Sequence, residues 1–331
     1  MKTFLVTAEQ SGIRLDVALA AHLEASRARI QKLIKAGEVT VNGKSVTAHA
    51  MLHEGESVAF SPLPSMRKKA AETVDIPVIF ENDDLVVINK PAGIIVHPMN
   101  ATDRRTSVIG SLLVARPEIK KVGDAAARKL RPGIVHRLDK AVSGVMVVAK
   151  TQKMFDELKR QFAEREVDKQ YAALVYGKIA KDHDSILFKI ARSKTLGRMV
   201  SRPEGQEGKD AHTDYDVVDR FKTATLVDVT IHTGRTHQIR THFKAIGHPV
   251  VGDVLYHTRL VHIKPLEMDR LFLHAKKLSI RMLDGKRKTF SSPLPKDLKA
   301  ILTTRPRTEL CRASTSSPDR APSERPPSPL G

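Results

Sequence analysis

Residues 134–150 read IVHRLDKAVSGVMVVAK, in which a charged segment runs directly into an apolar one. The run Val145–Ala149 is continuously apolar, which is typical of a strand buried on both faces. Because a core strand fixes the end of the preceding loop, that loop can aim side chains at a substrate. Four polar side chains stand there: His136, Arg137, Asp139 and Lys140. We expect chemistry at this junction, although a lone loop aspartate such as Asp139 is more often a turn-capping residue.

The chain is long and strongly basic. Its 331 residues include 56 Lys and Arg against 37 Asp and Glu, which gives a formal net charge of +19. This length accommodates two compact domains and an appendage. The charge favours a polyanionic partner, and structured RNA, ribosomal or transfer, fits better than an acidic small molecule. A basic surface that serves only solubility is the alternative.

Several classes of protein are disfavoured by composition. No apolar run approaches the roughly 20 residues that cross a bilayer, and the N-terminus MKTFLVTAEQ lacks the apolar core of a signal peptide, so we expect a cytoplasmic protein without membrane contact. The single cysteine, Cys311, leaves no intrachain disulfide and no thiolate cluster. Three histidines, His237, His242 and His248, lack the accompanying pattern of a zinc site. We therefore expect no metal and no cofactor.

Residues 12–60 have the pattern of a small basic module. Leu15, Ala18, Leu19 and Leu23 lie at helical spacing, and Ser26 and Gly37 are expected to begin and end a second helix. Asn42-Gly43 predicts a hairpin turn, and residues 56–60 add a strand. Five basic residues on the second helix and hairpin are candidate RNA contacts, with a solvated charged face as the alternative: Arg27, Arg29, Lys32, Lys35 and Lys44.

The remaining chain divides into a linker, a larger domain and a tail. Residues 61–72, SPLPSMRKKAAE, change composition abruptly and are expected to form the linker. The larger domain should span residues 73–304. Residues 305–331, with six prolines and five serines, are expected to be a disordered tail, since they cannot offset the entropy of ordering.

Within the larger domain, apolar patterns predict strands over residues 85–89, 168–179, 225–232 and 271–280, and helices over residues 107–115, 151–166 and 237–246. Lys90, in INKPAGIIVHP, could be a general acid or a phosphate anchor, but a structural turn that closes the pocket is favoured. Residues 186–210, rich in Lys, Arg and Gly, should form an exposed hairpin or loop that faces RNA. Tyr171 shares a strand face with Ala173 and Val175. Judged from this pattern alone, it is interpreted as a half-buried packing tyrosine.

Three stretches, INKPAGIIVHP, HRLDKAVSG and TGRTHQIRTHFKAIGHPVVGD, resemble the motifs of the RluA-type pseudouridine synthases, and they occur in the order of that family. GIRLDVALAAHLEASRARIQKLIKAGEVTVNGK resembles the S4 RNA-binding domain. The resemblance implies an α+β fold, in which a mixed, largely antiparallel sheet forms a catalytic domain that follows a small α+β S4 domain. It departs from the family at Ala141 and Val142, where the family usually carries an acidic residue and a threonine.

The same resemblance implies roles for individual residues. Asp139 would be the catalytic nucleophile, Tyr171 would pack on the target base and act as general acid or base, and Arg240 would pair with the nucleophile. An always-charged guanidinium suits that pairing, although Arg240 could also be a surface helix arginine. Arg137, beside the nucleophile, would occupy the space that the uridine vacates.

The function implied is isomerisation of uridines in structured RNA to pseudouridine by a monomeric enzyme without a cofactor, most like the members that modify large-subunit ribosomal RNA. The carboxylate can attack ribose C1′ or uracil C6, and the sequence leaves both open. A non-catalytic RNA-binding or ribosome-assembly protein and an RNA hydrolase are the alternatives. The first leaves Asp139, Tyr171 and Arg240 without a joint explanation, and the second would need a metal or histidine arrangement for phosphate chemistry.

Overall fold

The computed structural model describes residues 1–62, 73–257, 266 and 268–303, and the chain divides into one unit ending at residue 70 and a second beginning at residue 71. Each unit is described by itself. Most of the predicted linker and all of the predicted tail, residues 305–331, lie outside the described residues. Among the described helices, none is both long and apolar enough to cross a membrane.

The first unit is a four-stranded antiparallel sheet with two helices. The elements are β1 Lys2–Leu5, α1 Leu15–His22, α2 Arg27–Lys35, β2 Val39–Val41, β3 Lys44–Ser45 and β4 Ser57–Phe60, with strand order β1-β4-β2-β3. The hairpin prediction is confirmed, because Asn42 and Gly43 both adopt the positive φ that its tight turn requires. Strand β1 precedes residue 12, where the module was predicted to begin.

The apolar faces of α1 and α2 form the core of this unit against the sheet. Leu15, Leu19 and Ile30 have no exposed surface. Ser26 is the N-cap residue of α2 as predicted, although its side chain makes no capping hydrogen bond. The helix ends at Lys35, and Gly37 takes a φ of +75° that turns the chain into β2.

The second unit combines a large sheet with four helices. Its strands are β5 Val78–Glu81, β6 Leu85–Lys90, β7 Ser143–Ala149, β8 Asp168–Tyr176, β9 His183–Ile186, β10 Lys189–Arg192, β11 Met199–Arg202, β12 Thr213–Arg220, β13 Ala224–Ile231, β14 Leu273–Arg281 and β15 Arg287–Ser291. Its helices are α3 Val108–Ala115, α4 Gln152–Ala163, α5 Gln238–Ala245 and α6 Lys296–Thr303. Strands β10 and β11 form a separate hairpin within residues 186–210, as predicted.

The main sheet has the order β5-β6-β7-β14-β8-β13-β12-β9, with β15 beside β14. Only the β7–β14 pairing among these described strands is parallel, so the predicted mixed, largely antiparallel sheet is confirmed. Every residue of β7 is buried, which agrees with the strand predicted from its apolar run.

The contact between β7 and β14 depends on Gly144. Its φ is +121°, and a Cβ atom at this position would lie 2.2 Å from the carbonyl oxygen of Ala275. Any other residue would force the two strands apart. The glycine of the HRLDKAVSG motif therefore fixes the strand that follows the Asp139 loop.

Two helices bear directly on the candidate site. Helix α5 buries Ile239 and Phe243 as predicted, and ends before Gly247, whose φ is +84°. Helix α4 ends at Ala163 rather than at the predicted residue 166, because Arg165 takes a left-handed conformation with a φ of +61°. That turn leads the chain into β8, which carries Tyr171.

Candidate active site

A cleft of about 480 Å³ in the second unit is lined by the loop before β7, by β8 and by the segment from β13 into α5. Asp139, Tyr171 and Arg240 all line it, as does the exposed Arg137. The three residues come from separate elements, but β7, β14, β8 and β13 are neighbours in the sheet. The fold thus brings the predicted catalytic residues together at one place.

Asp139 is paired with Arg240. An Arg240 Nη1 donates to Asp139 Oδ2 at 3.2 Å, and 21% of the Asp139 side chain remains accessible to solvent. The carboxylate is therefore held but not covered. An accessible, ion-paired carboxylate at the wall of a cleft has the geometry of a nucleophile rather than of a turn cap alone, although Asp139 also accepts a backbone hydrogen bond from Val142.

Asp253 holds Arg240 from the other side. Its carboxylate is fully buried and accepts two hydrogen bonds from Arg240, at 2.7 Å from Nε and 2.9 Å from Nη2. Tyr256 packs its ring 4.9 Å from the guanidinium carbon. Burial by itself would lower the pKa of Arg240, but the contact with Asp253 raises it, so the guanidinium remains charged.

His237 completes the polar surroundings of Asp139. Its Nδ1 lies 2.8 Å from the Tyr256 hydroxyl, and its Nε2 lies 3.8 Å from Asp139 Oδ2. The residue takes a φ of +57° at the start of α5, which is uncommon outside glycine. Burial lowers its pKa, and the charge of Asp139 works in the opposite direction.

Lys90 supports the Asp139 loop from beneath. Its buried ammonium donates to the carbonyl oxygens of Pro91, Lys140 and Val142 at 2.9, 3.2 and 2.8 Å. Burial lowers the pKa of Lys90 to about 7, against the opposing effect of Asp139. Two of these bonds hold the backbone at Lys140 and Val142, on either side of Ala141, where the sequence departs from the family pattern. They agree with the structural alternative for Lys90 rather than with a phosphate anchor.

His136 stabilises the loop from within. Its Nε2 accepts the Val147 backbone N–H at 3.0 Å, and its ring stacks on Phe162 with centroids 4.7 Å apart. Burial, assisted by the nearby charge of Lys169, lowers its pKa to about 3. The ring is therefore neutral at neutral pH and acts as a hydrogen-bond acceptor.

Tyr171 is half-buried on β8. It lines the cleft and also packs against the hydrophobic core of the sheet. Within the described part of the chain, its hydroxyl has no hydrogen-bond partner. Burial raises its pKa above the ordinary value, and the negative charge of Asp139 acts in the same direction. The hydroxyl consequently carries its proton at neutral pH.

The candidate RNA contacts of the first unit differ in their surroundings. Lys32, Lys35 and Lys44 are exposed, whereas Arg29 is half-buried. Arg27 donates to the buried carboxylate of Asp16 at 3.1 Å and so has a structural contact as well. The lysines are the clearer candidates for binding phosphate.

Sequence reasoning did not assign roles to Asp253 or Tyr256. Both follow α5, and only the turn after that helix brings them back to Arg240. The GHPVVGD end of the third motif could have indicated the role of Asp253, because this aspartate follows closely after a helix rich in basic residues. His242 and His248 bond to the carbonyl oxygens of Phe188 and Tyr176, so they do not share a common centre with His237.

Comparison with known proteins identifies the two parts of the chain. The model of the RNA pseudouridylate synthase family matches residues 84–245, and that of the S4 domain matches residues 13–58. An RNA pseudouridine synthase of Chlorobaculum parvum is 37% identical over 91% of this chain and 96% of its own length. The ribosomal large subunit pseudouridine synthase D of Nitrosomonas europaea is 36% identical over 88% of this chain and 84% of its own.

Solved structures show the same fold. Human RNA pseudouridylate synthase domain containing 1 has a TM-score of 0.54 and 25% identity, and the match covers 70% of this chain and 94% of the human one. The chain is an RNA pseudouridine synthase with an N-terminal S4 domain and belongs to the RNA pseudouridylate synthase family.

Proposed function

We propose that this enzyme isomerises uridines of large-subunit ribosomal RNA, with Asp139 as nucleophile, Arg240 as its positioning cation and Tyr171 as the group that moves protons. The observation that carries the proposal is the 3.2 Å contact between Asp139 and Arg240 in a cleft that Tyr171 also lines. The name of the Nitrosomonas europaea relative supports the choice of RNA.

The reaction breaks the bond between N1 and C1′, turns the uracil and joins C5 to C1′. No atom is gained or lost, so a nucleophile and proton transfers suffice. The Asp139 carboxylate attacks either ribose C1′ or uracil C6 and holds the intermediate covalently. The target base must leave its stack to reach the cleft, and Arg137 lies where it can fill the vacated space.

Tyr171 is suited to two successive proton transfers. Its protonated hydroxyl can first donate to the detached uracil, and the resulting phenolate can then remove the proton from C5 after the new carbon–carbon bond has formed. Because the charge of Asp139 contributes to the raised pKa of Tyr171, converting that carboxylate to a neutral ester makes the first transfer easier. The two steps return Tyr171 to its starting state.

RNA docking is assigned to the exposed lysines of the S4 domain, with the β10–β11 hairpin as a second basic surface. The enzyme is proposed to act as a monomer, and a ribosomal RNA substrate supports a cytoplasmic location.

The test is to incubate the full-length enzyme with transcripts of large-subunit ribosomal RNA and transfer RNA, and to map pseudouridine at nucleotide resolution. We expect product in the ribosomal transcript and none from Asp139→Asn. The matched change Asp156→Asn, on the exposed face of α4, should remain active. Turnover by Asp139→Asn would refute the nucleophile, whereas product only in transfer RNA would refute the substrate assignment.

A further inference from the structure

Two histidines and one aspartate converge at one end of β12 and β13. His212 Nε2 lies 2.8 Å from Asp214 Oδ1, and His232 Nε2 lies 2.6 Å from Asp214 Oδ2. One ligand atom from each of the three residues lies within 4.8 Å of the others. This arrangement, called here the His-Asp-His cluster, has no assigned role in the proposed isomerisation, although His232 also lines the cleft.

The strand register holds the cluster in place. Thr213 pairs with Ile231, and the His232 backbone N–H donates to the His212 carbonyl at 3.1 Å, so the two histidines face each other across the ladder. Asp214 is two residues beyond His212 and therefore points to the same face of the sheet. Ser185 on β9 donates to Asp214 Oδ1 at 2.7 Å, which fixes the carboxylate.

The donor set is that of a transition-metal site. Two imidazole nitrogens and one carboxylate oxygen suit Zn²⁺, which keeps water as its fourth ligand when the protein supplies three. Bonds of about 2.0–2.2 Å place tetrahedral ligand atoms roughly 3.3 Å apart, so the cluster must open by about half an ångström. The two imidazole side chains are 40% and 44% exposed, which allows water to accept the ring N–H at Nδ1 once Nε2 binds a metal.

A neighbouring pair shows what a simple ion pair looks like on this face. His183 Nδ1 lies 2.9 Å from Asp216 Oδ1 on the adjoining strands, and both side chains are largely exposed. In that pair, one imidazole contacts one carboxylate. In the cluster a second imidazole is directed at the same carboxylate, and the two rings lie 4.2 Å apart. Burial favours the neutral acid, yet the Ser185 and His232 hydrogen bonds hold the pKa of Asp214 at about 2.

We propose that His212, Asp214 and His232 bind one divalent ion of the zinc class. The site goes beyond the proposed isomerisation and does not depend on it. Bound metal would join the end of β13 to the start of β12, immediately before Thr233, Gly234 and Arg235, which line the cleft. A single carboxylate oxygen offers little to Mg²⁺ or Ca²⁺, which prefer oxygen ligands in greater number.

The experiment is a calorimetric titration of the metal-free, full-length protein with ZnCl₂, together with the visible absorption of the Co²⁺ form. We expect one high-affinity site, a tetrahedral Co²⁺ spectrum and an increase in the thermal unfolding temperature with Zn²⁺. Since losing a group that merely supports a ligand costs about 10–100-fold in affinity, His232→Gln and Asp214→Asn should each raise the Kd at least about tenfold. Mg²⁺ should not compete.

His183→Gln is the matched control, because it removes a histidine from the same sheet face without touching the cluster. It should leave the zinc affinity and the Co²⁺ spectrum unchanged. An equal loss in His183→Gln and His232→Gln would show general histidine binding and overturn the assignment. So would the absence of saturable zinc uptake by the wild type, or an unchanged affinity in both cluster variants with native circular dichroism.

Discussion

Arg240 makes two hydrogen bonds to Asp253 but only one to Asp139. The buried carboxylate thus fixes the guanidinium through Nε and Nη2, and Nη1 is presented to the more accessible Asp139. Because breaking a buried ion pair from one side costs about 3–5 kcal/mol, Asp253 is a positioning residue with a structural role as well.

Asp253→Asn should lower kcat while RNA affinity stays near that of the wild type, because Arg240 loses its orientation but no phosphate contact is removed. The free energy of unfolding should fall by about 3–5 kcal/mol. Asp228→Asn removes a half-exposed partner of Lys276 and should change stability by about 1 kcal/mol or less. Kinetics and urea unfolding of both variants measure this, and a normal kcat in Asp253→Asn would contradict the positioning role.

Tyr171→Phe keeps the ring, which is expected to stack on the base, and removes only the hydroxyl. We expect RNA binding close to wild type and product formation reduced by about 10²–10⁴, the usual span for general acid–base catalysis. Tyr215→Phe, a buried tyrosine of the same sheet outside the cleft, should remain active. Single-turnover assays separate the two, and a Phe variant of near wild-type rate would leave Tyr171 as a packing residue.

Lys90→Met should destabilise the enzyme by about 1–3 kcal/mol, because three loop and turn carbonyl oxygens lose their donor in a buried place. Activity should fall further than stability explains, since Lys140 and Val142 belong to the turn that begins at Asp139. Assays well below the unfolding temperature measure the activity, and denaturant unfolding measures the stability. Full activity in a folded variant would rule out the bracing role.

His136 should make stability depend on pH. The unfolded ring binds a proton below its ordinary pKa of about 6.5, whereas the folded ring, with a pKa of about 3, does not. The unfolded state therefore binds more protons between these values, and the free energy of unfolding falls as the pH is lowered through this window. His136→Gln keeps an acceptor for Val147 and should reduce the slope by up to about 1.4 kcal/mol per pH unit. Urea unfolding across the window tests this, and an unchanged slope would contradict it.

Lys32, Lys35 and Lys44 changed together to Ala should weaken binding to ribosomal RNA and flatten its salt dependence. The slope of log K against log salt is negative, and each lost phosphate contact should make it shallower by about 0.7–0.9. Arg27 is left in place because of its contact with Asp16. Catalysis on saturating RNA should persist, and an unchanged slope would remove the S4 lysines from the docking surface.

The sequence predicted those site residues that lie beside or within a recognisable strand or helix pattern. Asp139 stands beside a strand whose apolar run is unambiguous, and Arg240 lies on a helix whose inward face is set by Ile239 and Phe243. Asp253 and Lys90 act through contacts that depend on how separate elements pack, and no period in the chain relates them to their partners. The end of α4 was missed because Arg165 adopts a left-handed conformation that its residue type does not favour.

The parallel pairing of β7 with β14 affects how the enzyme folds during its synthesis. Ser143 and His274 are paired neighbours although they are 131 residues apart in the chain. During synthesis, the segment bearing Asp139 must wait for β14 to emerge before its strand gains this neighbour, and contacts of such long range slow folding. A nascent chain that ends before β14 thus carries the proposed nucleophile without the strand beside β7, so catalytic competence should arise only after β14 has been synthesised.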